Sequence, residues 1–368
     1  MAVSRINEAG LNVNQYGNRN LVINGAMQVA QRATSTTGIG ASSVFGSVDR
    51  FQVASGTTGR VTMAQDSVTD LAGFTKCIKI SCTTARTPSA SELMFLRYAW
   101  EGHDLQRISK GTASAKATKI SFYVKASGVF NMACELYDAD NNRHISQLFA
   151  TSTSWNRIEL DITADTTGPY GDDNGPGLLM KLWFHGGTDR TSGTLPSTWQ
   201  TKSSNTNQAA GISNFLSSTS NEFYFTGLQY EVGDTATPFE HRSYGDELAR
   251  CQRYYSREEA GSGAAYKRYG VGSWNSATHF ECSVPLSTPM RTTPTLETTG
   301  TASNYAIYSA NAIDAVTSLA LINDSDAGTY NRMVGIIMTV SSGGVAGEGG
   351  TLLGNANTTN FLALDAEL

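Results

Sequence analysis

Charge is scarce in this sequence. Only 16% of its residues are Asp, Glu, Lys or Arg, against about 25% in an ordinary soluble domain. Ser, Thr, Asn and Gly fill the difference. A surface of hydroxyls and amides suits β-sandwiches with many turns, and suits a surface that packs against copies of itself. The net charge is −5 and the cations form no stripe. Nucleic-acid binding, which follows the number of phosphates that Lys and Arg neutralise, is therefore not expected. No apolar run approaches the length of a membrane-crossing helix, so no membrane insertion is expected. The opening MAVSRINEAG lacks the apolar core of a secretory signal, so synthesis in the cytoplasm is expected.

The five cysteines, Cys77, Cys82, Cys134, Cys251 and Cys282, lack metal spacing and read as buried, reduced small hydrophobes. Cys77 and Cys82 bracket a strand-like run, and their odd spacing puts them on opposite faces. The five histidines show neither H-x-H nor HExxH, which argues against zinc. Nucleophile elbow, P-loop, dinucleotide fingerprint, fixed-period repeat and heptads are all missing.

What is present is a succession of short β segments. At 368 residues the chain has room for two or three domains of roughly 100–200 residues. Alternation of apolar and polar residues, or short apolar runs between turn signals, predicts strands over 49–55, 60–65, 77–83, 92–100, 118–126, 130–138, 143–150, 155–162, 178–184 and 222–232. Regular spacing of this kind marks a sandwich or jelly roll. Two long loops, 163–177 and 186–220, interrupt it; the second exceeds the ordinary loop length of about 12–15 residues and carries Leu195, Trp199, Ile212, Phe215 and Leu216, so it is expected to pack on the sandwich.

After the break at Gly233–Pro238 a short helix is expected over 243–255. Ser243 would cap it, Asp246 and Glu247 would sit in its first turn, and Leu248, Cys251 and Tyr255 would share a face. A second β region, with strands at 265–272, 277–286, 295–299, 306–309, 315–321, 330–340 and 359–366, completes the chain; 341–354 reads as a flexible Gly-rich loop. Residues 1–19 have no sustained period. They read either as a partly disordered terminus or, in the preferred reading, as an arm that orders against a partner. The fold class is thus all-β: an N-terminal attachment arm (1–32), a jelly-roll β-sandwich (33–242), a linking helix (243–256) and a C-terminal β-sandwich (257–368).

Leu228-Gln229-x-Glu231-x-Gly233-x-x-Ala236-Thr237-x-Phe239-Glu240-x-Arg242, followed by Glu247-Leu248-x-x-Cys251-Gln252-Arg253-Tyr254-Tyr255, resembles a module of tailed-bacteriophage virion proteins, mostly tail fibres and head fibres. NLVINGAMQVAQR from Asn20 to Arg32, with Asp49-Arg50-Phe51 after it, is similar to the opening of that module. Phe361 to Leu368 (FLALDAEL) resembles the strand that closes many such fibres. The resemblance implies a virion appendage on the tail or head, homotrimeric, with a jelly roll similar to carbohydrate-binding modules. It implies docking on other virion proteins through residues 1–32, with Leu21, Val22, Ile23 and Met27 anchoring the arm and Leu248, Cys251 and Tyr255 packing the assembly. A tail fibre binding host-surface polysaccharide is favoured over a head fibre or decoration protein with a purely structural role.

Sugars lay their C–H faces on Trp and Tyr rings, and polar side chains fix their hydroxyls. The loop-borne Tyr170 and Trp199, and Trp274 in the second β region, are the candidate ligand residues; for each the plainer reading is a ring covering the core. Trp100, Trp155 and Trp183 read as core. Tyr137-Asp138-Ala139-Asp140-Asn141-Asn142-Arg143 lacks the Gly and Glu of a calcium loop and reads as a turn. Asp172 and Asp173 form an acidic loop suited to calcium or to water. Carbohydrate-binding jelly rolls often hold a structural calcium beside the last strand, which by that likeness makes Glu231 a candidate ligand. No other cofactor and no enzyme activity are expected. A glycosidase carboxylate pair can lie far apart in sequence, so a glycan-degrading tailspike-type enzyme stays as an alternative.

Overall fold

The computed structural model describes residues 18–260, 265–322 and 332–368. Among these the chain is all-β, with a few short helices, and no helix is long and apolar enough to cross a membrane. It divides into two compact units between Tyr244 and Gly245.

The first unit is a sandwich of two antiparallel sheets. One runs, edge to edge, Ser35–Ile39, Arg60–Ser67, Lys76–Thr84, Glu222–Val232, Thr118–Ala126 and Asn156–Ile162. The other runs Gln200–Thr201, Arg143–Ala150, Asn131–Asp138, Pro176–Gly186, Leu93–Glu101, Gln52–Gly56 and Val44–Phe45. The alternation read in the sequence becomes two faces. In Thr118–Ala126, Ile120, Phe122 and Val124 point into the core, while Lys119, Tyr123 and Lys125 are only partly covered. Val61, Ile78, Ile80 and Phe225 meet Met94, Leu96, Leu136 and Leu182 in one continuous core, each side chain worth about 1.5–3 kcal/mol of burial. Cys82 lies in that core and Cys77 in a separate cluster with Val68 and Phe74 on the opposite face.

Residues 18–32 are not an arm. Leu21, Val22, Ile23 and Met27 are buried; Leu21, Val22 and Met27 join the main core, so none of the four is available to anchor the chain elsewhere. The segment is clasped to the strand Glu222–Val232 and the turn after it. Leu21 N–H donates to Tyr230 O (2.8 Å) and Leu228 N–H to Gly25 O (2.9 Å). Asn20 Nδ2 donates to Leu228 O (3.1 Å), Tyr230 N–H to Asn20 Oδ1 (3.1 Å), and Asn20 N–H to Glu240 Oε2 (2.7 Å). Arg242 reaches back to Val22 O (2.8 Å). A Cβ on Gly25 would lie 2.2 Å from Leu228 O, so this crossing needs glycine. The first of the two sequence patterns that resemble the virion module and residues 228–242 of the second, some two hundred residues apart, are thus one clasp. Residues 1–17, the rest of the expected arm, lie outside the described residues.

The second unit differs from the expected sandwich. Arg268–Trp274, His279–Pro285, Met333–Val340, Ala312–Leu321, Tyr305–Ser309 and Gly349–Gly354 close into a six-stranded barrel. The closing strand, Gly349–Gly354, falls in the stretch expected to be a loop. Its glycines let the backbone pass over Phe280, which would lie 2.9 Å from a Cβ at Gly350. A three-stranded sheet, Tyr255–Glu259, Phe361–Asp365 and Thr295–Thr298, accompanies the barrel. The helix spans Tyr244–Gln252, shorter than expected: Tyr254 N–H turns back to Cys251 O (2.9 Å) and Tyr255 starts a strand opposite Asp365. Cys251 and Tyr255 are buried within the chain, so neither presents an assembly surface; Leu248 alone of the three is partly exposed.

Candidate functional site

The aromatic candidates resolve into structural roles. Tyr170 and Trp199 both wall in Lys110, whose Nζ lies 5.2 and 5.6 Å from their ring centroids. Lys110 is buried and its ammonium fills an oxygen cage: Asp138 Oδ2 (2.5 Å), Asp165 Oδ2 (3.2 Å), Thr167 O (2.8 Å) and Gly168 O (2.7 Å). Arg143 holds Asp165 from the other side at 2.7 Å. An amine thus engages Asp138, the first acid of the D-x-D-N-N pattern. Tyr170 is 7% exposed and burial pushes its hydroxyl well above the usual phenol range, so its face is not free for a sugar. Trp199 is partly buried against the core, its Nε1 donating to Thr163 O (2.9 Å). Trp274 is 1% exposed, inside the second unit, with Nε1 on Ser309 Oγ (3.0 Å); it is a core residue.

The acidic candidates do not converge. Asp172 is exposed and meets His103 Nδ1 at 2.7 Å; Asp173 accepts the Gly175 N–H at 2.7 Å. Glu231 is buried, and its oxygens are taken by Thr237 N–H (2.9 Å), Thr237 Oγ1 (2.7 Å) and Gln229 Nε2 (2.8 Å), so it braces the turn rather than offering a ligand. Among the described residues no three His, Cys, Asp or Glu side chains gather as a metal site needs.

A different group is assembled on the outer face of the six-stranded sheet. Tyr224 stands in register with Lys79 on one neighbouring strand and Lys125 on the other. Trp155, expected in the core, comes just before Asn156–Ile162 and lies half-buried on this face. Lys125 Nζ is 5.2 Å from the Trp155 ring and 5.1 Å from the Tyr224 ring, and Lys79 Nζ is 5.2 Å from Tyr224. The two rings lie 6.4 Å apart, inclined at 69°. A carboxylate closes each end: Asp70 accepts from Lys125 (2.7 Å) and Trp155 Nε1 (2.8 Å), and Glu222 from Tyr224 OH (2.6 Å) and Lys79 (2.8 Å). Val68, Phe74 and Cys77 support the row from below, and burial drives the Cys77 thiol up to about 12.

The electrostatics follow from this pairing. The Lys125 and Trp155 hydrogen bonds hold Asp70 below the usual carboxylate range, and those from Lys79 and Tyr224 do the same for Glu222. Burial alone would lower Lys79, but Glu222 outweighs it and the ammonium is raised. The row is therefore neutral overall, with two aromatic rings and four charged groups fixed across three strands and the loops beside them. Each carboxylate is tied to one lysine and one ring donor. What the arrangement can do is receive an apolar face on the rings and bond hydroxyls at the rim.

No family model matches this chain, and the search of curated proteins found no match. Solved structures similar to it include the enzymatically active domain of bacteriophage CBA120 tailspike protein 4, at 10% identity and TM-score 0.30, covering 58% of this chain and 21% of that one. The CBM22-1 xylan-binding domain from Paenibacillus barcinonensis Xyn10C is similar at 10% identity and TM-score 0.28, covering 59% and 96%. A family 11 carbohydrate-binding module from Clostridium thermocellum, in complex with a β-1,3-1,4-mixed-linked tetrasaccharide, is similar at 12% identity and TM-score 0.27, covering 56% and 99%. The chain thus spans about a fifth of the tailspike domain. At these scores the likenesses carry no argument about function, and the sandwich rests on the chain's own sheet order.

Sequence reasoning missed the row because Trp155 was assigned to the core. The signal was present: in Phe223-Tyr224-Phe225 strict alternation sends Tyr224 outward, and it does the same for Lys79 and Lys125 on the flanking strands.

Proposed function

We propose that the first unit is a glycan-binding module that does not cleave its ligand, and that the chain is a fibre or knob of a tailed-phage virion. The observation that carries the binding reading is the Lys79–Tyr224–Lys125–Trp155 row, pre-positioned by the sheet and by paired carboxylates. Rings and hydrogen-bonding groups held in one rigid row are what a saccharide needs, and they cost little further ordering on binding. The virion reading rests on the sequence patterns at 20–32 and 228–255. In it the chain is a homotrimer made in the host cytoplasm, residues 1–17 supply the attachment to other virion proteins, and a tail fibre meeting host-surface polysaccharide is favoured over a head fibre.

A glycan array with the whole chain tests the binding. Bound glycans are expected to be lost in the Trp155→Ala/Tyr224→Ala double variant and to be returned uncleaved. An array that stays blank, or one unchanged by the double variant, would remove the row from the reading. Immunogold labelling of virions with an antibody to residues 257–368 tests location: label at the tail supports the tail fibre, label over the head supports the head fibre, and unlabelled virions overturn the virion assignment.

A further inference from the structure

The opposite outer face, on the seven-stranded sheet, carries a different charge pattern. Glu135 is fully buried there. Its carboxylate accepts from Lys181 (3.2 Å), Trp183 Nε1 (3.1 Å) and Gln208 Nε2 (3.1 Å), and His144 Nδ1 lies 3.2 Å away. Burial would raise its pKa, but Lys181 and these hydrogen bonds outweigh burial and hold it at about 2. Glu135 is thereby matched by Lys181.

Two further cations have no such match. Lys202 Nζ sits 5.1 Å from the Tyr137 ring, the ring that Lys181 Nζ approaches to 4.4 Å, and among the described residues no carboxylate lies within ion-pair reach of it. Its backbone is pinned to the Asn142 hairpin, Lys202 N–H to Asn142 O (2.8 Å) and Asn142 Nδ2 to Lys202 O (3.2 Å). Arg190 has a buried Nε without an acceptor, and its Nη1 reaches only Gln208 Oε1, at 3.5 Å. Burial and then the Lys181 charge press the Lys202 ammonium below the usual lysine range, with Arg190 acting in the same direction and Glu135 against. Three cations are thus held around one carboxylate in a half-buried site, where an added anion relieves repulsion.

We infer that this face binds the anionic substituent of an acidic saccharide, a carboxylate or a sulfate ester, at Lys202 beside Tyr137, with Arg190 the further unmatched cation on the face. The inference rests on the glycan-binding reading but uses the other sheet, so the two can fail separately.

The test is calorimetric titration of the whole chain with tri-galacturonic acid, sulfated galactotriose, neutral galactotriose and inorganic phosphate. At least one acidic trisaccharide is expected to bind more tightly than the neutral one. Its affinity should fall roughly tenfold in Lys202→Met, return in Lys202→Arg, and weaken as salt rises from about 50 to 500 mM. Which acidic probe binds distinguishes carboxylate from sulfate. Lys202→Met should keep its thermal midpoint, which separates lost binding from lost folding. Binding of neither acidic probe, equal binding of the neutral one, phosphate matching the saccharides, or an unchanged Lys202→Met affinity would each overturn the inference. Acidic binding lost in Trp155→Ala but kept in Lys202→Met would overturn it too, while leaving the glycan-binding reading on the six-stranded sheet intact.

Discussion

The two units solve the same problem, a small β core, with opposite attitudes to charge. The sandwich buries Lys110, Glu135, Asp138, Asp165, Lys181 and Glu231, among other charged groups. Among its described residues the second unit buries one carboxylate, Glu247, and no lysine or arginine. The barrel interior is instead Trp274, Phe280, Ile307, Ile336, Met338 and Leu352. A buried ion pair seldom outperforms a well-packed apolar group, yet removing one partner is severe because the other is left charged and dry. The sandwich should therefore be fragile to single charge deletions and to acid, and the barrel to lost volume.

The sharpest way to break that contrast is Lys110→Met. It leaves Asp138 buried without its cation while Asp165 keeps only the Arg143 cation, and roughly 3–5 kcal/mol should be lost from the sandwich alone. Hydrogen exchange read separately over the two units checks this; equal loosening of both would break the distinction. Acid comes next. Glu135 is held at about 2 in the fold against 4.5 as the unperturbed value. Because the folded value is the lower one, its contribution is complete above pH 4.5 and drains away as pH falls toward 2. With one pKa unit worth about 1.4 kcal/mol, roughly 3 kcal/mol is at stake. Exchange at pH 2.5 and pH 6 should show the sandwich loosening and the barrel nearly unchanged. The smallest effect is expected from Trp274→Phe, which removes the indole bond to Ser309 and some volume. It should cost about 1–3 kcal/mol, confined to the barrel, as thermal unfolding followed by exchange would register.

Strands were legible where side chains alternate or cluster: Thr118–Ala126, Arg143–Ala150 and Glu222–Val232 coincide with their sequence readings. Strands made of small or polar residues were not. Ser35–Ile39 and Gly349–Gly354 carry no apolar period, and their pairing is decided by distant partners. Without Gly349–Gly354 a barrel cannot be told from a sandwich. The anchoring role given to Leu21, Val22, Ile23 and Met27 failed for a related reason. Apolar residues in an unperiodic segment look alike whether they seek another protein or the far end of their own chain. Tyr170 and Trp274 are buried, and Trp199 is only partly so. Tyr170 and Trp199 stand in Gly-rich loops, as ligand residues often do, but the buried ammonium of Lys110 needed rings beside it. No spacing in the sequence announces a lysine inside a cage of oxygens.

The clasp between Asn20–Gly25 and Leu228–Arg242 has a consequence for how such chains diversify. The polypeptide enters and leaves the sandwich at one strand, so everything between the two halves of the clasp behaves as a cassette. Its loops and outward-facing strand residues can be exchanged for others while residues 20–25 and 228–242 stay tied to each other. The interior of the module is thus replaceable with its splice points already tied together.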